Sequence, residues 1–187
     1  LVGHALEPEN RGVGRRVAED LVALGHQEIA IVSGPAALTT VQDRLAGAQE
    51  VLSRAGARWH VVPTDFTAEG AGPAAIQALR DWPDVTAILA LNDSMAIAIL
   101  VALRRLGVSV PGEISVAGID DVSVAELLYP SLTTARFPLE RMGRDALELA
   151  TRPAAARPRR KAVSAELVVR ESTATPRVLP IRSLGLS

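Results

Sequence analysis

Four short polar clusters hold the side chains best suited to chemistry: Gln42-Asp43-Arg44, Thr64-Asp65-Phe66-Thr67, Asn92-Asp93-Ser94 and Asp120-Asp121. Together they offer an amide, carboxylates, a guanidinium fork and an aromatic ring. Carboxylates and amides take paired hydrogen bonds from adjacent hydroxyls, Arg supplies a donor fork, and a ring packs on the apolar face of a sugar. The set suits recognition of a small polar molecule. The plainer reading is that Asn92 or Asp93 only caps the following helix, a position both residue types favour.

Bond-making chemistry has less support. Asp120-Asp121 after a strand would suit Mg²⁺, but the only Lys is Lys161, and no phosphate-cradling Gly-x-x-x-x-Gly-Lys-Ser/Thr run occurs. Gly12-Val13-Gly14-Arg15-Arg16-Val17 half-matches a dinucleotide fingerprint, but Val17 takes the third Gly position and the preceding Leu-Glu-Pro-Glu-Asn does not read as a strand. No Gly-x-Ser-x-Gly elbow is present. His4, His26 and His60 are scattered, and His26 in a helix-to-strand turn reads as structural. With no Cys, thiol catalysis and Cys-based zinc sites are excluded. A non-enzyme without cofactor or metal is expected.

The elements that position the clusters alternate. EIAIVSG (28–34), RWHVVP (58–63), VTAILAL (85–91) and ISVAGI (114–119) are apolar runs whose starts lie about 27–30 residues apart, the length of a strand–helix unit. Continuous apolar runs suit strands covered on both faces. Helical spacing fills the gaps: Val13, Val17, Leu21 and Leu24; Val41, Leu45, Ala48 and Leu52; Met95, Ile99, Leu103 and Leu106; then Leu139, Met142, Ala146 and Leu149 after Pro138. The basic stretch 151–162 reads as a loop, Val163 to Val169 as a last strand, and the end after Ser172 as loose. The expected fold is α/β, a doubly wound and mainly parallel sheet. All four clusters then sit at carboxyl ends of strands, where such sheets bind ligands.

With 187 residues and 48% hydrophobic composition, the chain has material for one domain or two small lobes. A formal net charge of −1 argues against a domain that mainly grips nucleic acid. The apolar stretch 85–103 has bilayer length, but Asn92, Asp93 and Ser94 break it at the centre. The first ten residues lack the pattern of a signal peptide.

Several segments resemble the effector-binding domain of the lactose/galactose-repressor (LacI/GalR) family. They are Glu9-Asn10-Arg11, LVALGHQEIAIVSGP (21–35), Arg44-Leu45-Ala46-Gly47, DFTAEG (65–70), ALNDSMAIA (90–98), GVSVPGEISVAGIDD (107–121), YPSLTTARFP (129–138) and VVRESTA (168–174). The resemblance spans about 9–174, in order and at family spacing. It implies two similar periplasmic-binding-protein-like lobes around a cleft, of which this chain holds one complete lobe and fragments of a second. It places 1–26 at the end of a truncated amino-terminal lobe and 27–136 in the carboxyl-terminal lobe. Residues 137–158 return to the other lobe as a helix and loop, 159–171 bring a last strand back, and 172–187 form a flexible tail.

Arg44, Asn92 and Asp120 are then implied as hydrogen-bonding partners of the effector, with Phe66 packing on it and Phe137 at the cleft or hinge. Asp93 and Asp121 brace neighbouring loops. Ala48 stands where the family frequently has an aromatic, Phe137 where it often has Gln, and Val13 where Gly is common. The resemblance further implies a cytoplasmic homodimer that reaches operator DNA only through a headpiece outside this chain, with lobe movement on effector binding coupled to operator affinity. A fragment of this kind is expected to bind neither operator nor effector tightly. A solute-binding protein of a transporter is the alternative.

Overall fold

The computed structural model describes residues 5–151 and 160–178. Its first unit runs β1 (Ala5–Pro8), α1 (Asn10–Ala23), β2 (Glu28–Ser33), α2 (Thr39–Ala55) and β3 (Arg58–Pro63). It continues with α3 (Ala68–Asp81), β4 (Ala87–Ala90), α4 (Asp93–Arg105) and β5 (Ser115–Ala117). After a short 3₁₀ turn (Ala125–Leu127) come β6 (Thr134–Arg136), α5 (Leu139–Ala150), β7 (Arg160–Val163) and β8 (Glu166–Val168). No helix among the described residues is long and apolar enough to cross a membrane.

The central sheet is parallel, in the order β3-β2-β4-β5, with Ile31 beside both Val61 and Leu89 and Ile88 beside Val116. Side chains alternate across it, as the pleat requires. Ile29, Ile31, Ala87, Leu89 and Ala117 enter one core with α1 and α2, while Ala30, Val32, Ile88, Ala90 and Val116 enter the other with α3 and α4. Helices on both faces make the sheet doubly wound, as the apolar runs implied.

The packing of α1 on α2 depends on two glycines. A Cβ on Gly14 would lie 2.0 Å from the Arg44 carbonyl oxygen, and one on Gly47 would lie 2.0 Å from that of Arg11. The helices therefore cross with backbone against backbone. This corrects two expectations. Residues 5–8 are a strand after all, so strand, glycines and helix do occur in sequence, but Gly14 serves helix packing. And α1, expected with the other lobe, buries Val13, Val17, Ala18 and Leu21 in the core of the central sheet.

Beyond β5 the chain folds back, and Thr133, just before β6, makes a single parallel bridge to Ala117 at the sheet edge. β8 pairs antiparallel with β6, and β7 pairs in parallel with β1. The single strand expected over 163–169 is thus two, split at Ser164-Ala165 and serving different sheets. Arg160 and Lys161, expected in a loop, lie in β7, where they pair with Glu7 and, at 2.8 Å, with Asp145. Residues 152–159 of the expected loop lie outside the described residues. The segment 172–178 is not loose. Ser172 is fully buried, its carbonyl accepts from Val116 N at 2.8 Å, and the Arg177 guanidinium donates to the carbonyls of Glu113, Pro83 and Val85. Helix α5 buries none of its residues fully, and Leu139 and Leu147 are exposed.

Candidate functional site

Five chain segments, carrying Asn10, Arg44, Phe66, Leu91-Asn92 and Asp120, meet at the carboxyl ends of β4 and β5. Arg44, on the first turns of α2, is buried under α1 and spends its guanidinium inward. Nε donates to Asn10 Oδ1 at 3.1 Å, Nη1 to the Leu91 carbonyl at 2.6 Å, and Nη2 to Asp120 Oδ1 at 2.9 Å. The Asp120 side chain remains 39% exposed, so this ion pair has one buried partner and one facing outward. Burial pushes the Asp120 carboxyl up from its ordinary value, against the opposing pull of Arg44.

Asn92 closes β4 and caps α4. Its Oδ1 accepts from Met95 N at 2.8 Å, while Nδ2 makes only a long contact, 3.4 Å, to the Phe66 carbonyl. The capping reading is therefore correct for one end of the amide. Phe66 itself has φ of 70°, unusual for a bulky residue. Thr64 Oγ1 accepts from its backbone N at 3.1 Å, and its ring lies over Gly34, where any Cβ would come within 2.5 Å of it. Arg44, Asn92, Asp120 and Phe66 are thus gathered by direct contacts or through Leu91, the residue before Asn92.

Phe137 does not touch them: it is 7% exposed and packs in the α1/α2 core. Its position between β6 and α5 leaves it at a crossing of the chain, as an apolar anchor. Asn10 was missed as a site residue. Its only signal was a place beside Arg11 before a helix, and nothing local says that it reaches Arg44.

Behind the site, Asp93 is fully buried. It accepts from Thr134 Oγ1 at 2.7 Å and Val122 N at 3.0 Å, and burial raises its pKa from the ordinary value, those hydrogen bonds opposing. A Cβ on Gly118 would fall 2.2 Å from Asp93 Oδ1. Asp93 thus braces the turn that carries Asp120.

The described residues hold no cluster of three or more metal-ligating side chains. His26 and His60 stand elsewhere: His26 on Thr86 and Ser115 at the amino ends of β4 and β5, His60 stacked on Trp82 and paired with Glu28 at 2.8 Å. What gathers at the strand ends is hydrogen-bonding and packing capacity.

Residues 18–173 match the family described as periplasmic binding protein-like domain. The transcriptional regulator CelR of Thermobifida fusca is 39% identical over 145 residues, covering 75% of this chain and 42% of that protein. A LacI family regulator from Enterococcus faecium with bound ribose superposes with a TM-score of 0.86 at 25% identity, over 93% of this chain and 66% of the other. A CelR–cellobiose complex gives 0.84 at 35% identity, over 91% and 54%. The chain spans about half or less of the length of the curated relatives it matches. It is similar along most of its length to regulators of the LacI/GalR kind, and it belongs to the periplasmic binding protein-like domain family.

Proposed function

We propose that this chain is the effector-sensing domain of a LacI-type DNA-binding regulator and takes a sugar or related small polar metabolite at the carboxyl ends of β4 and β5. The observation that carries this is the Arg44–Asp120 pair, a buried guanidinium holding an outward-facing carboxylate beside Asn92 and Phe66. Asp120 accepts hydrogen bonds from ligand hydroxyls, the free side of the Asn92 amide donates, and Phe66 packs on an apolar face. Arg44 acts mainly by fixing Asp120, since three of its donors are already engaged. The solved relatives with ribose and cellobiose support this ligand class. The relatives are named as regulators, which favours sensing over transport and over catalysis.

In this reading the regulator works in the cytoplasm as a homodimer, and effector binding shifts the arrangement of its lobes. A ligand biases such an equilibrium only through different affinity for the two states. The exposed Val124, Leu127 and Tyr129 are apolar surface available to a dimer. The test is calorimetry of the full-length gene product with ribose, cellobiose and lactose. Asp120→Ala is expected to weaken the best ligand by about 2–3 kcal/mol, the scale of a hydrogen bond to a charged group. Unchanged affinity in that variant refutes the site.

A further inference from the structure

The turn that carries Asp120 is held in an uncommon shape. Asp120 and Asp121 are consecutive non-glycine residues with positive φ, 121° and 50°. Such backbone persists only where its surroundings over-determine it. Here most fastenings come from the segments that link the central sheet to β7 and α5. Gly118 N donates to the Thr133 carbonyl and Asp120 N to the Ala135 carbonyl, both at 2.9 Å, and Asp121 N reaches Thr134 Oγ1 at 3.3 Å. The Asp121 carboxylate then ties the two linking segments together. Oδ2 lies 2.7 Å from Arg136 Nε on β6, and Oδ1 lies 2.7 Å from Arg170 Nη2, two residues beyond β8. Arg170 is itself fixed, donating through Nη1 to the Leu132 carbonyl at 2.8 Å. Asp121 and Arg170 are largely buried, 10% and 13% exposed in their side chains, so solvent screens this arm little.

The geometry points to Asp121 as a positioning residue that couples the ligand site to the β6–β8 ribbon. β6 leads into α5 and β8 arrives from β7, with Arg136 opposite Glu166 across the pair. The backbone that aims the Asp120 carboxylate is therefore clamped, one residue on, to β6, through which the chain leaves the central sheet, and to the segment just past β8, through which it returns. A ligand that reorients Asp120 moves the ribbon, and a shift of the ribbon re-aims Asp120. This deepens the effector reading and rests on it for its biological meaning, but the mechanical link stands on the ion pairs alone.

Hydrogen exchange on the full-length gene product tests the link without any ligand. Asp121→Asn keeps the shape of the side chain and removes its charge. Exchange is expected to rise about tenfold or more at 118–122 and, together with it, in β6 and β8, while β2, β3 and β4 stay unchanged. Arg136→Gln, at the 46% exposed arm, is the variant least able to disturb folding and gives a smaller change in the same segments. A change confined to the turn, or none, overturns the proposal.

Titration with the tightest of ribose, cellobiose and lactose supplies a readout that general destabilisation does not move. Asp121→Asn weakens binding about tenfold in the natural sequence and adds nothing in an Asp120→Ala background, because it acts through Asp120. Equal weakening in both backgrounds overturns the proposal. If Asp120→Ala alone leaves affinity intact, or none of the three sugars binds, the effector reading falls and hydrogen exchange still decides the link.

Discussion

Single residues in this chain are fixed by what stands next to them rather than by their own preferences. Glycine shows this most plainly. Gly47 and Gly143 both sit inside helices, where Ala is favoured by roughly 0.5–1 kcal/mol. A Cβ at Gly143 meets nothing within 4 Å, whereas one at Gly47 meets the Arg11 backbone at 2.0 Å. Gly143→Ala is expected to stabilise the chain by about that helix preference. Gly47→Ala is expected to destabilise it by about 1–3 kcal/mol, the scale of overpacking. Urea unfolding of the two variants distinguishes them, and equal effects would disprove the close crossing of α1 and α2. The same crossing places Arg44 against Asn10, so the glycines belong to the support of the site.

Among elements, the segment 172–178 changes most in meaning between sequence and structure. Its anchor is His26, in the turn between α1 and β2. The ring accepts at Nδ1 from the Thr86 hydroxyl at 2.8 Å and donates from Nε2 to the Ala174 carbonyl at 3.0 Å, with Ser115 Oγ also in reach. Burial lowers the His26 pKa below its ordinary 6.5, with the bond to Ala174 opposing. The sign follows directly. Below 6.5 the unfolded chain binds a proton that the folded chain refuses, so stability falls as pH drops from that value toward the folded one. Above it the contribution is flat. The urea midpoint of the natural sequence is expected to fall between about pH 7.5 and pH 5.5, and His26→Gln to flatten part of that slope. An identical slope in the variant would remove His26 as the cause.

At the scale of the molecule, one well-packed unit carries a less buried annex. The central sheet with its four helices has two continuous cores, while β1 and β7 make only a two-stranded sheet and α5 leaves Leu139 and Leu147 exposed at 68% and 67%. Phe137 marks the border, buried in the core one residue past β6. Phe137→Ala is expected to cost this chain about 3–5 kcal/mol. Leu147→Gln is expected to change it by no more than about 0.5 kcal/mol. Thermal melts of the two variants check the border, and a large loss from Leu147→Gln would mean that α5 packs more tightly than its exposure shows.

The sequence by itself determined the parts of this protein that depend on local pattern. Apolar runs at regular spacing gave the parallel strands, helical spacing gave the covering helices, and polar residues after each strand pointed to one end of the sheet, because crossover connections leave those ends together. Asn92 was legible as a cap for the same local reason. Tertiary structure alone decided the rest. Nothing near residue 44 announces that Arg44 turns inward to a carbonyl and an Asn on another helix, nor that α1 joins the central core. The strand at 5–8 exists because β7 lies beside it, and the last strand divides because its halves find different partners. Pairing between residues far apart in the chain, from Arg44 with Asn10 to Ala5 with Arg160, leaves no periodic trace in either one, so only the folded chain shows it.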